Sequence, residues 1–377
     1  MKVLFLSNQP PHVPGRANAY GTRLAGLRRG LESLGVETDL LSLRTLRFKG
    51  PHLLFALNAR AIARQAQGYD VIHAGDAGAT VAAAAASTWH RHLVIFDVHG
   101  DELQEAHLEW RAQPTPRRAY LVLQAMLLTA MARRLADMLL VVSEPFRQRY
   151  QEKGIPPERI VLVRNGVDTS VFKPVPSRDN GRVRVCYAGG FQAWQAIDVL
   201  LDALAQTADD QLHFHLIGFS PQDRSLKAKI AARLGSHATL EDWLPTKHLV
   251  ERLGQADVLI IPRTQHPSMH GGCPSKFAEY LAMGKPLIVT SVGETAQFVR
   301  QYRCGLVCEP TARGLARAVR QAATWNERER RVMGHNARQL AETVFDWRFI
   351  ARDYLRVLQD IARQKESSYG RHRPGAN

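Results

Sequence analysis

The stretch Pro274-Ser275-Lys276-Phe277-Ala278-Glu279-Tyr280-Leu281-Ala282-Met283-Gly284-Lys285-Pro286-Leu287-Ile288-Val289-Thr290 reads as a helix that stops and becomes a buried strand. Pro274 suits a first helical turn and Gly284 an end, so the helix runs over Ser275–Met283. Leu287–Thr290 is apolar on both faces, as a strand of a covered parallel sheet is. His270-Gly271-Gly272-Cys273 lies just before the helix. A glycine pair feeding a helix start offers free N–H groups and the positive end of the dipole to an anion. Lys276 adds charge there. Glu279, on the same face as Ser275, suits two vicinal hydroxyls such as those of a ribose. The plainer reading is a core helix with a solvated Glu279.

The same alternation extends in both directions. Towards the N-terminus lie strands at Val3–Ser7, Val36–Leu43, Val71–Ala74, Leu93–Val98 and Met138–Val142. Between them come helices at about Tyr20–Leu34, Leu53–Gln67, Ala79–Ser87 and Arg117–Leu135. Phe172–Gly181, with two prolines and an Asn-Gly pair, reads as a linker. Beyond it, strands at Val183–Ala188, Leu212–Ile217, Ala238–Glu241, Val258–Ile261, Leu287–Thr290 and Gly305–Val307 alternate with helices. The pattern predicts an α/β chain of two doubly wound, Rossmann-like domains facing a central cleft, with ligands at the strand C-termini. The expected boundaries are 1–175, 176–345, a C-terminal helix over 346–365 that returns to the first domain, and a disordered tail over 366–377.

Of 377 residues, 45% are hydrophobic and 23% charged, which suits folded domains with sizeable cores rather than disorder. The formal net charge of +15 favours anionic partners: phosphorylated small molecules, an anionic membrane surface or nucleic acid. Nucleic acid is set aside, since neither a recognised motif nor interleaved aromatics appear. The four cysteines form no CxxC pair and no metal site, and they suit a reducing cytosol. Val3–Leu6 is too short for a signal peptide, and no run approaches a membrane span; the longest candidate, Ala119–Ala132, holds Gln124 and Thr129 between Arg118 and Arg133 and reads as a buried or interfacial helix.

Other segments carry chemistry. The loop after the first strand, with Gly15 and Arg16, can present backbone N–H groups to an anion, although it is not GxGxxG. At the end of a strand, Asp97-Val98-His99-Gly100-Asp101-Glu102 offers His99 and Asp101 for catalysis; alternatively Asp101 or Glu102 caps the next helix. Ser143 is a plausible cap before Pro145.

Ser143-Glu144, Asn165-Gly166-Val167-Asp168 with Phe172 and Pro174, Tyr187-Ala188-Gly189-Gly190, and Glu279-Tyr280-Leu281-Ala282-Met283-Gly284-Lys285-Pro286 together resemble family 4 of the retaining GT-B glycosyltransferases, over nearly the whole chain. The resemblance implies transfer of a sugar from a nucleotide-sugar donor, such as a UDP- or GDP-sugar, with retention and without metal or other cofactor. It implies donor binding by the C-terminal domain and acceptor binding by the N-terminal one. Glu279 matches the second glutamate of the family's E-x(7)-E motif, which holds the ribose. His99 matches a histidine near the transferred sugar, and Gly15 the glycine loop near the diphosphate.

Three positions depart from the family pattern. The first motif glutamate falls at Gly271, so its contact with the sugar ring is either absent or made by backbone N–H groups of Gly271, Gly272 and Cys273. The phosphate-binding arginine falls at Gly190, and the lysine of a Lys-Gly pair at Gln195-Ala196. Lys276, Arg263 and Arg16 are the candidates to replace the missing cations. The alternative is a GT-B relative with lost or different activity, such as an inactive nucleotide-sugar binder or an epimerase.

The acceptor is expected to be a glycan or glycolipid, such as a lipid-linked or surface-glycan precursor, and the protein cytoplasmic, at the inner face of the plasma membrane. Arginine density in the first half suggests docking on anionic lipid, helped by Phe55, Leu57 and Ile62 with Arg60 and Arg64.

Overall fold

The computed structural model describes residues 1–8, 19–48, 52–175, 181–191, 195–266, 269 and 271–370. They divide into two compact units. One holds the described residues up to Arg164 together with the C-terminal helix from Trp347; the other holds those from Asn165 to Asp346.

In the first unit, strands β1 (Lys2–Ser7), β2 (Glu37–Ser42), β3 (Val71–Ala74), β4 (Leu93–Val98), β5 (Met138–Val141) and β6 (Ile160–Leu162) form one sheet in the order β2-β1-β3-β4-β5-β6. Every pairing is parallel. β3, β4 and β5 are buried at every position, as strands covered on both faces must be. The covering helices are α1 (Ala19–Glu32), α2 (Ala59–Gln65), α3 (Ala77–Ala86), α4 (Glu102–Ala112), α5 (Pro116–Leu135) and α6 (Glu144–Glu152). Side-chain oxygens start several of them: Asp76 caps α3, Thr115 caps α5 with Pro116 following, and Ser143 accepts from the Phe146 N–H at 3.3 Å, as expected.

The second unit contains β7 (Val183–Ala188), β8 (Leu212–Phe219), β9 (Ala238–Asp242), β10 (Val258–Ile261), β11 (Leu287–Thr290) and β12 (Gly305–Cys308). Its parallel sheet runs β12-β11-β10-β7-β8-β9. Helices α7 (Ile197–Thr207), α8 (Arg224–Leu234), α9 (Thr246–Gly254), α10 (Ser275–Ala282), α11 (Glu294–Tyr302), α12 (Ala312–Ala323) and α13 (Glu327–Leu340) alternate with the strands or follow them. Gly284, at φ +63°, stops α10 where the sequence places its end.

The chain then re-enters the first unit as α14 (Trp347–Gly370). Trp347 and Ala351 press on α1 at Gly26 and Gly30. A Cβ at those glycines would lie 2.1 Å from the indole and 2.4 Å from the Ala351 methyl, so the two helices touch only because both are glycine.

The helix expected over Leu53–Gln67 is a 3₁₀ segment, His52–Asn58, followed by α2. Its apolar residues are not a membrane face, because Phe55 and Ile62 are buried in the core and only Leu57 is exposed. The tail expected from 366 is helical as far as Gly370. Cys186, Cys273 and Cys304 are buried and free, and Cys308 is half-buried.

Candidate functional sites

In the second sheet the chain steps outward from β7 through β8 to β9, then returns to lay β10 against β7's other edge. The reversal opens a crevice beyond the ends of β7 and β10, where open α/β sheets bind ligands. β7 leads there into Gly189 and Gly190, and β10 into Arg263.

Gly189 adopts φ +152°, and a Cβ there would lie 2.3 Å from Lys276 Nζ, so the absent side chain makes room for the ammonium. Lys276 is buried. Its Nζ donates to the Tyr187 hydroxyl (3.1 Å) and to Gln195 Oε1 (3.3 Å), and it lies 4.4 Å from the Tyr187 ring centroid. The Tyr187 hydroxyl in turn donates to the Gly190 carbonyl at 2.5 Å. Burial, reinforced by the Arg263 charge, pulls the Lys276 ammonium down to about 7. Glu279, one turn along and half-buried, is pushed up to about 7 by burial, against the pull of Lys276.

Tyr280 fixes α10 to the sheet: its hydroxyl accepts from Ala188 N (2.6 Å) and donates to Ala188 O (3.0 Å). Arg263 is held by donation to the Gly272 carbonyl (2.8 Å), while its backbone N–H donates to Thr290 Oγ1 (2.9 Å). The Asn165 side chain donates to the Cys273 carbonyl at 2.7 Å, which pins the turn before Ser275. Among the described residues no side chain caps the starts of α7 and α10, which leaves first-turn N–H groups open to a ligand, apart from that of Phe277, which donates to the Pro274 carbonyl at 3.0 Å. Before α7, Ala196 takes φ +51°, a left-handed conformation suited to the glycine that the family carries there.

Lys276, Glu279, Arg263, Gly189 and Gly190, from distant stretches of sequence, are thus brought to one strand-end crevice, with Gly271–Cys273 and Ser275 along its α10 side. Gly15, Arg16 and His270 lie outside the described residues. Sequence reasoning missed Tyr187, Gln195 and Tyr280 as partners in this crevice; their places at a strand end and one turn into α10 were the available signal. It also missed the turn at Gly293, φ +70°, which starts α11 with the buried Glu294.

The first sheet reverses between β1 and β3. Beyond their ends, Tyr20 packs against Gly75, where a Cβ would meet its hydroxyl at 1.3 Å. His99 follows β4 and stacks on Tyr20 with centroids 4.5 Å apart. Burial holds its imidazole below the ordinary range, against the pull of Asp97. His99 Nδ1 is buried without a hydrogen-bond partner among the described residues. Glu102 is pushed up to about 8 by burial and by Asp76.

Asp101 has a structural task. Its Oδ1 caps α4 at Gln104 N (3.2 Å), and its Oδ2 accepts from Arg149 at 2.6 Å. Asp97, at the end of β4, is fully buried. It accepts from Arg23 through two nitrogens and lies 3.1 Å from His73 Nε2, while His73 Nδ1 meets the Tyr354 hydroxyl of α14 at 2.8 Å. It is a structural anion.

Two parallel six-stranded sheets, each with a polar cluster at its reversal, define a two-domain α/β architecture of the GT-B type. Residues 17–171 match the family model described as Glycosyltransferase Family 4, and residues 182–324 the one described as Glycosyl transferases group 1. The chain belongs to glycosyltransferase family 4.

Among curated relatives, it is 25% identical over 234 residues to the putative colanic acid biosynthesis glycosyltransferase WcaL of Escherichia coli, covering 60% of this chain and 58% of that one. It is 24% identical over 332 residues to the MMP alpha-(1->4)-mannosyltransferase of Mycolicibacterium hassiacum, covering 85% and 78%. Its fold is similar to that of sucrose-phosphate synthase from Thermosynechococcus elongatus (TM-score 0.77, 19% identity, 96% and 99% covered). It is also similar to that of Anabaena HepE in complex with UDP-glucose (0.72, 19%, 96% and 100%).

Proposed function

We propose that this protein transfers a sugar, with retention of anomeric configuration, from a nucleotide-sugar donor to a glycan or glycolipid acceptor. The observation that carries the reading is the pair of buried cations, Lys276 and Arg263, at the reversal of the second sheet beside the uncapped start of α10. In transfer, the bond from the sugar's anomeric carbon to the phosphate oxygen breaks as the acceptor hydroxyl forms the new bond on the same face. The nucleoside diphosphate leaves with the electron pair and a gain of negative charge. Lys276, Arg263 and the first-turn N–H groups stabilise that charge and leave no need for a divalent ion. The hydroxyl proton departs on the diphosphate or to solvent. Glu279 takes the ribose hydroxyls, and Gly271–Cys273 backbone N–H groups face the sugar. His99, kept neutral, hydrogen-bonds the transferring sugar.

Solved complexes of similar fold contain UDP and UDP-glucose, and the named activity of one relative is mannosyl transfer. The experiment is a thermal-shift screen of UDP-, GDP- and ADP-sugars, followed by turnover of whichever binds and determination of the product anomer by NMR. A ligand that binds only the folded state raises the melting temperature by mass action. Failure of every nucleotide sugar to stabilise the protein would sink the reading. Binding without turnover on any acceptor would favour an inactive binder, and an inverted product would refute retention.

A further inference from the structure

The long helix α5 is inside out for a surface helix. Its buried side is short, comprising Gln124, Leu128 and Ala132. Beside it Leu123 (49%), Leu127 (44%) and Met131 (40%), four residues apart, form one exposed stripe, which Met126 (47%), three residues from Leu123, widens away from the buried side. Tyr120 extends the stripe at one end and Leu135 at the other, both exposed. Isolated exposed apolar residues are ordinary, but a continuous stripe along a helix marks a contact surface.

Charge identifies the occupant. Arg117 and Arg118 close one end of the stripe, Arg133 and Arg134 the other, and α5 contains no Asp or Glu. None of the four arginines pairs with a carboxylate among the described residues. Both ends being basic, a second copy of the helix laid on the first, parallel or antiparallel, would set arginine against arginine. An anionic bilayer accepts both features: acyl chains take the stripe and headgroup phosphates take the guanidinium groups. The uncharged run 119–132 is about 21 Å long at 1.5 Å per residue, too short for a hydrocarbon core of about 30 Å. No helix among the described residues is long and apolar enough to cross a membrane.

We infer that α5 is a membrane-docking helix, lying in the plane of an anionic lipid surface with Leu123, Met126, Leu127 and Met131 inserted. Trp110, at the end of the neighbouring α4 and partly exposed, suits the same interface. α4 starts three residues after His99, and α4 and α5 pack together as the crossover from β4 to β5. Docking would therefore bring the strand-end side of the first unit, with His99, towards the bilayer, as a lipid-linked acceptor requires. That last step rests on the proposed function; the docking does not.

The test uses the full chain and two vesicle compositions, phosphatidylcholine alone and phosphatidylcholine with phosphatidylglycerol. Wild type should sediment with the anionic vesicles, hardly with the neutral ones, and less as salt rises past physiological strength. Leu123→Glu/Met126→Glu/Leu127→Glu should lose binding at least tenfold with an unchanged circular dichroism spectrum and unchanged affinity for soluble donor. Arg117→Gln/Arg134→Gln should weaken it by roughly fivefold per charge, which is about 1 kcal/mol each. Two results would overturn the inference: wild type failing to bind anionic vesicles at low salt, or the triple variant binding as wild type does. A dimer in solution that the triple variant dissolves, with no vesicle binding, would make the face a subunit interface instead. Loss of donor binding in every variant would implicate the fold, and the spectrum separates that case.

Discussion

Lys276 Nζ donates to Gln195 Oε1 at 3.3 Å, across 81 residues of sequence. Gln195 stands where the family pattern has a lysine, so this chain supplies its cation to the same spot from α10. The exchange leaves the ammonium at the N-terminal end of its helix, and Gly189 makes space for it.

Replacing Lys276 with methionine should therefore weaken the nucleotide-sugar complex far more than the nucleoside complex. A charge-assisted hydrogen bond is worth about 1.5–3 kcal/mol, or roughly 10- to 150-fold in affinity. Gln195→Lys combined with Lys276→Gln should restore part of the loss, because it returns the charge from the other element. Calorimetric titration of uridine, UDP and the selected sugar donor checks this. Equal losses for nucleoside and diphosphate would give Lys276 a structural role only.

The same lysine makes donor affinity depend on pH. In the free protein its ammonium is pulled down to about 7, chiefly by burial. A bound diphosphate favours the cation, so binding raises that value. Affinity is then full below about pH 7 and falls, by up to tenfold per pH unit, between the free and bound values. The donor diphosphate itself, esterified at both ends, does not titrate in this window. Dissociation constants measured from pH 6 to 9 should show the fall in wild type and lose it in Lys276→Met, where Glu279 alone is left to titrate. A flat wild-type profile would place the charge elsewhere.

The buried pair Arg23–Asp97 predicts where the first unit is most vulnerable. Both side chains are fully buried, and the Arg23 charge holds the Asp97 carboxyl well below the usual carboxylate range although burial opposes it. Asp97→Leu strands a buried guanidinium and should cost about 3–5 kcal/mol, whereas Arg23→Met with Asp97→Leu should cost less, since neither charge remains. The sign with pH follows from the lowered value: the pair's contribution is present at neutral pH and is lost as pH falls through the range of a protonating carboxylate. Urea unfolding of the single and double variants decides. A double variant as unstable as the single one would mean that packing, not charge, is what Asp97 supplies.

The legible parts of the sequence were those decided locally. Ser143 before Pro145, Gly284 after an apolar helix, and runs such as Leu287–Thr290 each carry their own signal within one turn or one strand. Phe55 and Ile62 show the limit of periodicity, since spacing gives a stripe but not what covers it; here α3 and the sheet cover it. For the same reason Ala119–Ala132 reads from sequence as either a buried or an interfacial helix, because its exposed residues are as apolar as a core. α12 keeps a buried face of Leu315, Ala316, Val319 and Ala322 among its arginines, a signal present in the sequence, whereas the polar α13 and α4 offer a weaker one. The contacts of Lys276 with Tyr187 and Gln195 depend on the order of strands in the sheet, which no local pattern contains.

Glu279 provides the closing test, because it touches both parts of the donor reading. It is half-buried and its carboxyl is pushed up to about 7, so near neutral pH it titrates together with Lys276 one turn away. Glu279→Ala should remove the acceptor for the ribose hydroxyls and weaken nucleoside and nucleotide alike, by roughly 10- to 100-fold. It should also move the pH profile. The Glu279 carboxylate raises the Lys276 value, so without it the lysine loses its proton at lower pH, and the fall in donor affinity begins below the wild-type onset of about 7. Glu279→Gln should keep some hydroxyl binding yet show the same displacement, since it removes the charge and preserves the shape. Affinity profiles of the two variants, fitted for both plateau and onset, separate these contributions. Unchanged nucleoside affinity in Glu279→Ala would remove the ribose from this residue, and an unchanged onset in Glu279→Gln would show that the carboxylate does not act on Lys276.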